Sequence, residues 1–460
     1  MIRAALLLSV LMSVLSACGG AGTSAPVAAP QPSSAPASPV ATVPAPPLVG
    51  IWITAAVLKA DSSETTASLR IASSGSLSGT QLSAQTLSVS VDSVPAGFSV
   101  QALAASSGPD GLTIPVAVQA SGAGSLAGSV QTDAWLNVRL NGQTQRVRLP
   151  ILRASSVTLP GVSGASGASV QVAASAPCGP DVLLSAPVNA PLEQRTRLLR
   201  LTAAGTVQSY DLGLAPTEGV TSQLCDPSGT IWLSIRSDDA QGSVIARLNP
   251  ASARLERFPV GAVGDTVNNL TRTPDGRLWF VQYKRDRLGE FDPVSGGVTS
   301  HAVAENAENL RLGQDGALYY SQFYNTPAVV RFDPTSGSSR ALSAGNSSKN
   351  LPRASVQTGG SVWYVDALAQ SLNRIDLASG QTVQAHLPSG AAPGELVAAP
   401  DGTLWVADAA RHLLYRLPSG SLDSVTVPLA SGVNDGPRGL SVGPDGKLWY
   451  ESGGQMVGQQ

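Results

Sequence analysis

The chain has 460 residues, with 29 Lys and Arg against 31 Asp and Glu and a formal charge of −2. That balance excludes the broad basic face a nucleic-acid binder needs to displace counterions from phosphates, so no nucleic-acid partner is expected. Only 13% of residues are charged while Gly (47) and Pro (33) abound, which disfavours long helices and points to an all-β protein of short strands and many turns.

The N-terminus carries Arg3 and then an uncharged apolar run from Ala4 to Leu15. The run is shorter than the roughly 20 residues that span a bilayer and has the length of a signal-peptide core. It closes with Leu15-Ser16-Ala17-Cys18, which resembles a bacterial lipobox. The resemblance implies a signal peptide over 1–17, cleavage before Cys18 and a lipid on its thiol. Each acyl CH₂ buried in the membrane then contributes about 0.8 kcal/mol. The expected product is an exported lipoprotein held in the cell envelope, at the outer membrane or cell surface, with the membrane as a partner. Residues 19–48 have no charge and are mainly Ala, Pro, Ser, Thr, Val and Gly. Such a stretch cannot bury a core, so 18–48 reads as a lipidated cysteine and an extended tether.

Residues 49–153 show period-2 runs such as Leu112–Val118 and Trp135–Leu140, and Asn141-Gly142 separates two of them as a hairpin turn. The spacing predicts a small β-sandwich. The segment Val94-Pro95-Ala96-Gly97-Phe98-Ser99-Val100 resembles bacterial immunoglobulin-like spacer domains, which implies a spacer or adhesive module.

From about residue 154 the chain repeats. Pro274-Asp275-Gly276-Arg277-Leu278-Trp279, Pro400-Asp401-Gly402-Thr403-Leu404-Trp405 and Pro444-Asp445-Gly446-Lys447-Leu448-Trp449 are the clearest units, with aromatic anchors at Trp232, Trp279, Tyr319, Trp363, Trp405 and Trp449. The anchors recur every 40 to 47 residues, the length of a propeller blade. A second signature follows, as in Phe291-Asp292-Pro293 and Phe332-Asp333-Pro334. Asp-Gly supplies the turn between strands one and two, the aromatic fills the space to the neighbouring blade, and Asp-Pro ends strand three. A weaker blade precedes these six, read as Val170–Ala174, Val182–Ser185, Leu198–Leu201 and Val207–Leu212. The last repeat lacks a fourth strand, and 156–160 (Ser-Val-Thr-Leu-Pro) matches other blade endings. The expectation is therefore a seven-bladed β-propeller over 154–460, closed by an N-terminal strand. Cys178 and Cys225 fall in adjacent blades. In an exported protein this even pair favours a disulfide, with two buried thiols as the alternative.

The repeat unit, Pro-Asp-Gly-x-Leu-Trp followed by Arg-x-Asp-Pro, resembles the virginiamycin B (streptogramin B) lyase family of seven-bladed propellers. The family includes a magnesium-dependent enzyme that linearises a cyclic depsipeptide by elimination, so the resemblance implies Mg²⁺ as cofactor, a histidine base and metal-holding carboxylates in the last blade. Here Arg438 stands where the histidine would be and Gly436 where the first carboxylate would be, with Glu451 left as an acidic residue. Arginine stays protonated near neutral pH and glycine has no side chain to bind a cation.

Two positions in each blade are expected at the channel mouth. They yield Asn268, Asn269, Gln282, Glu308, Asn309, Gln322, Arg353, Asp366, Glu395, Asp408, Arg438 and Glu451 as candidate ligand-binding residues. The mixture of Arg, carboxylate and amide suits a small polar ligand or an envelope protein; a set of contacts that simply closes the ring is the other reading. His301, His386 and His412 are expected away from the mouth. The functional expectation is a non-catalytic binding propeller, with a divergent Mg²⁺-dependent lyase or hydrolase for cyclic esters or lactones as the alternative.

Overall fold

The computed structural model describes residues 51–59, 62–71, 87–108, 111–121, 132–140, 142–158, 174–190, 193–202, 206–215, 217–237, 242–252, 254–262, 265–283, 285–303, 307–322, 327–342, 352–429, 436–443, 446–452 and 455–459. Cys18, the signal segment and the tether lie outside these. The described residues contain strands and no helix.

Nine strands come first: β1 (Ile51–Ile53), β2 (Ala56–Lys59), β3 (Glu64–Ile71), β4 (Leu87–Ser93), β5 (Phe98–Ala102), β6 (Ser106–Gly108), β7 (Gly111–Ala120), β8 (Thr132–Leu140) and β9 (Gln143–Thr158). One sheet has the order β1-β3-β7-β5, with β6 also on β7; the other joins β2, β9, β8 and β4. Strand alternation turns Leu112, Ile114, Val116 and Val118 of β7 and Leu136, Val138 and Leu140 of β8 into a common buried core between the sheets. Leu140 pairs with Gln143 across a two-residue turn, where Gly142 adopts φ +81°, a conformation glycine reaches without steric cost.

Seven four-stranded blades follow. The first is β10 (Ala174–Cys178), β11 (Asp181–Ala190), β12 (Glu193–Leu201) and β13 (Val207–Tyr210); the second β14 (Glu218–Cys225), β15 (Ile231–Ser237), β16 (Val244–Asn249) and β17 (Arg254–Pro259). The third is β18 (Thr266–Arg272), β19 (Leu278–Tyr283), β20 (Arg287–Phe291) and β21 (Val298–Ala302); the fourth β22 (Ala307–Leu312), β23 (Leu318–Gln322), β24 (Ala328–Phe332) and β25 (Ser339–Leu342). The fifth is β26 (Pro352–Thr358), β27 (Ser361–Asp366), β28 (Ser371–Asp376) and β29 (Thr382–Gln384); the sixth β30 (Leu396–Ala398), β31 (Leu404–Asp408), β32 (Leu413–Leu417) and β33 (Val425–Pro428). The seventh is β34 (Arg438–Val442), β35 (Leu448–Ser452) and β36 (Gln455–Gln459), completed by the end of β9.

That completion is the predicted closure, with Gln455 opposite Thr158 and Gln459 opposite Ala154. β9 is one continuous strand through positions 153 and 154, so the sandwich sheet and blade seven are a single sheet. The described inner strand of blade one is Ala174–Cys178, with Cys178 directly opposite Asp181 across the turn Gly179-Pro180; residues 170–173 of the expected strand lie outside the described residues. Cys178 and Cys225 form a disulfide with Cα atoms 5.0 Å apart and a sequence separation of 47. It joins the inner strands of blades one and two, and a loop of that length confers about 2–4 kcal/mol.

The aromatic anchors pack between blades. Trp232 meets Phe258 of its own blade and Phe291 of the next, at ring-centroid distances of 6.2 and 5.8 Å; Trp279 meets Phe332 at 5.4 Å. The sandwich is seated in the same way. Ala55, Val57 and Leu152 share a buried cluster with Trp405, Leu414 and Val427 of blade six and Leu448 and Tyr450 of blade seven.

The Asp-Pro turns are held by carboxylates. Asp292 accepts hydrogen bonds from the N–H groups of Val294 and Ser295, Asp333 from those of Thr335 and Ser336, and Asp376 from Ser379. These N–H donors hold all three carboxyls below their ordinary value of 3.8. In blade two Asn249 makes the same turn without charge. A depressed folded-state value means the contribution is complete above the unfolded value and is lost as pH falls through the folded one. Stability should therefore decline as the pH falls below the ordinary carboxylate value, and a triple variant Asp292→Asn, Asp333→Asn, Asp376→Asn should show a shallower decline in urea titrations over that acidification.

Candidate functional site

The inner strands share a four-residue motif at the mouth end: Thr221-Ser222-Gln223-Leu224, Asn268-Asn269-Leu270-Thr271, Glu308-Asn309-Leu310-Arg311, Arg353-Ala354-Ser355-Val356, Gly394-Glu395-Leu396-Val397 and Arg438-Gly439-Leu440-Ser441. Pairing with the second strand is interrupted within this motif in blades three, four and seven. Asn269 (φ +54°), Asn309 (φ +56°) and Gly439 (φ +59°) occupy the left-handed region there. This is a β-bulge built on the residue types that tolerate it, and a bulge re-aims its side chain.

Those re-aimed side chains reach the neighbouring blade. Ser222 Oγ accepts from Leu270 N–H at 2.9 Å, Asn269 Oδ1 from Asn309 N–H at 3.0 Å, and the Glu395 carboxylate from Gly439 and Leu440 N–H at 3.0 and 2.8 Å. The second motif position is thus an inter-blade clamp. It satisfies backbone donors freed by the bulge, which would otherwise cost about 1–3 kcal/mol each where buried. Asn269 and Glu395, expected to face a ligand, bond the neighbouring blade through these oxygens; Asn309 is half-buried and meets Asn269 through its backbone N–H.

The first motif position holds the groups left for the mouth. Asn268 is half-buried, and its Oδ1 is buried without a hydrogen-bond partner. Glu308 is half-buried opposite Ser321. Arg353 is in β26, but its side chain lies outside the described residues. Arg438 is half-buried and directly across from Glu451, which is 1% exposed.

The positions at the end of the second strand differ from expectation, because the strand turns them into the blade rather than the channel. Gln282, Gln322, Asp366 and Asp408 are all buried. Gln282 Nε2 donates to Val260 O at 3.0 Å and its Oε1 accepts from Ser300 Oγ at 3.2 Å. Asp366 Oδ1 accepts from Leu368 and Ala369 N–H, closing the next turn. Asp408 accepts from Ala392 N–H, Arg411 N–H and the Tyr415 hydroxyl at 2.8, 3.1 and 2.8 Å; burial, then this bond, push the Tyr415 hydroxyl up.

The sequence reading missed Arg311, at the fourth motif position. Its side chain is solvent-exposed, yet surrounding protein lowers its guanidinium from the ordinary arginine value while the Glu395 carboxylate acts in the opposite sense. A crowded but wetted arginine is what a channel lining produces. The bulge was the available signal, since it shifts the alternation so that this position also turns inward. The histidines also divide. His301 bonds Glu290 at 2.7 Å and His386 bonds Asp423 at 2.7 Å, both away from the motif. His412, expected elsewhere, lies exposed in the mouth-end turn of blade six at φ +57°. A concavity of about 870 Å³, lined by Ser228, Thr230, Asn249 and Arg254, lies at the opposite end of blade two.

The profile of the virginiamycin B lyase family matches residues 169–449. The chain belongs to that family. A virginiamycin B lyase of Nocardia farcinica (strain IFM 10152) is 26% identical over 217 residues, 39% of this chain and 74% of the relative. A streptogramin B lyase structure superposes with a TM-score of 0.55 at 17% identity, covering 67% of this chain and 97% of the other. A catalytically inactive virginiamycin B lyase from Staphylococcus aureus, solved with quinupristin, gives 0.55 at 15% identity, covering 67% and 99%. These two likenesses show the shared propeller fold.

The residues at the family's implied Mg²⁺ position do not fit a cation. Gly436 is buried, and a Cβ on it would lie 2.6 Å from Ala409 Cα, so no carboxylate can be carried there. Asp408, Asp366 and Glu395 already accept the donors described above. Among the described residues, no three His, Cys, Asp or Glu side chains are grouped to hold a metal.

The clamp can be tested at Glu395. Glu395→Gln keeps one acceptor and turns an amide N–H₂ toward the other backbone donor, so unfolding in urea should show a loss of about 1–2 kcal/mol. Unchanged stability would mean that the ring does not depend on this side chain.

Proposed function

We propose that this chain is an envelope-anchored lipoprotein whose virginiamycin B lyase-like propeller binds a small polar ligand or an envelope protein at its mouth without the lyase reaction. The observation that carries this reading is the pairing of losses in blade seven. Arg438 replaces the base, and the Ala409 backbone closes the space a carboxylate at position 436 would need. An arginine in that place cannot remove a proton near neutral pH, but it can donate several hydrogen bonds to an acceptor on a ligand. Arg311 adds a second cation within the channel, and Asn268 and Glu308 add an amide and a carboxylate. Such a concavity selects by polar complementarity and leaves a bound ester intact.

The lipobox-like Leu15-Ser16-Ala17-Cys18 supports the anchor, and residues 19–48 would separate the folded part from the membrane. The sandwich, proposed as an immunoglobulin-like spacer, would add further distance. A divergent lyase or hydrolase acting on cyclic esters is the second reading, favoured by one observation: Glu451 places a buried carboxylate where the equivalent positions carry Ser234, Val281, Ser321, Val365 and Ala407.

One experiment separates the two. In cells, Cys18→Ser should move the protein from the membrane to the soluble fraction. Incubated with quinupristin and Mg²⁺, both forms should leave the ring intact by mass spectrometry, and Arg438→His should gain no activity. Linearisation that disappears in Glu451→Gln would establish the second reading instead.

A further inference from the structure

A repeated arginine sits across from the anchor aromatic on the third strand of four blades. Arg247 pairs with Trp232, Arg331 with Tyr319, Arg374 with Trp363 and Arg416 with Trp405. In blades two and four the guanidinium is reached by solvent and has an acidic partner from its own blade: Arg247 bonds Glu256, and Arg331 bonds Asp315 at 3.1 Å. In blade five Arg374 donates to Gly420 O, and its Nε is buried without a partner; blade six differs from all of these in that the sandwich lies over its arginine. Ala55 N–H donates to Thr426 O of β33 at 2.8 Å, and Ala55, Val57 and Leu152 pack with Trp405. Arg416 is consequently 2% exposed.

The covered arginine has lost its acidic partner without gaining a full replacement. Its Nε and Nη1 are buried with no hydrogen-bond partner in the protein. Asp401, at the place of Asp315, is exposed and binds the N–H and hydroxyl of Thr403 instead. From the sandwich, Arg148 and Asp133 approach the same junction and bond each other at 2.6 Å. Arg148 Nε is also buried without a partner, as is the Oδ1 of Asp133. Burial, and next the Arg148 charge, hold the Arg416 guanidinium below its ordinary value; Asp133 and then Asp401 oppose them. Two guanidinium groups therefore share one inward carboxylate, and three N–H groups lack acceptors where water is largely excluded. An uncompensated buried cation is among the costlier arrangements in a protein.

We propose that the junction between the sandwich and blade six is a binding site for a small monovalent anion of the halide class, held by one buried N–H of the Arg416 guanidinium and by Arg148 Nε. The anion balances the excess positive charge and adds a polar contact where the sandwich meets blade six through the Ala55–Thr426 hydrogen bond and apolar packing. A water molecule bound beside it supplies the donor that Asp133 Oδ1 lacks. The site involves the third strand of blade six and the sandwich, not the inner strand that carries the mouth motif, and it does not depend on the binding reading given above.

The test uses the full mature chain with chloride and bromide as probes. At constant ionic strength, replacing gluconate by chloride should raise the melting temperature by about 2 °C and then saturate. The chloride response should vanish in Arg416→Met, which keeps an apolar side chain of similar length. Crystals soaked in bromide should show an anomalous peak within hydrogen-bond distance of Arg416, so the wild type alone is informative should the variant fail to fold. A chloride response that persists in Arg416→Met, or a junction holding only water in bromide, would overturn the proposal.

Discussion

A ring of seven sheets has one seam, and everything at the mouth depends on how it is held. Each blade buries an apolar face only against its neighbours, so an open ring would expose two faces and let the inner strands drift apart. Here the seam is the pairing of β36 with the last residues of β9. Because β9 is also a central strand of the sandwich, separating the first and last blades requires disrupting a strand tied into a second core. The sandwich thus stabilises the propeller directly, beyond any role in spacing it from a membrane.

The magnitudes rank the remaining forces. Burial of one anchor aromatic corresponds to about 4–6 kcal/mol of transferred surface as an upper bound, whereas an exposed ion pair such as Arg146–Asp92 contributes about 0–1 kcal/mol. The aromatics therefore supply the cohesion between blades. Polar groups at the mouth set its shape, since a clamp such as Glu395 on the Gly439 and Leu440 amides fixes the position of one inner strand against the next. The same clamps leave fewer side chains for a ligand. Under the reading proposed above, the mouth presents Arg438, Arg311 and Asn268 to a ligand. A shared propeller does not by itself carry an activity, and the decisive differences lie at Arg438 and Gly436.

Much of the fold was legible because each signal was repeated. Asp-Gly turns, aromatic anchors and Asp-Pro turns each recur, so one ambiguous blade could be read from its neighbours, and the expected closing strand at 156–160 is found paired over its described part, 156–158. The disulfide followed from two cysteines in adjacent blades. The mouth was less legible, because it depends on a register that the repeat does not display. Counting from the aromatic placed Asp366 and Asp408 in the channel, but strand alternation buries them and backbone amides claim their oxygens. The bulge at Asn269 ties an expected ligand group to the ring, and the register around Asn309 and Arg311 is not displayed by the repeat. The covered Arg416 was invisible for a different reason: no feature of its own blade says that a distant domain will lie over it.

The central claim is that blade seven has lost the means to hold the family's metal. Titrating Mg²⁺ into the protein in a calorimeter tests this most directly. The account predicts no saturable heat, with an identical trace for Glu451→Gln. Saturable binding of one Mg²⁺ that is lost in Glu451→Gln would contradict it and return the mouth to the chemistry of the lyases.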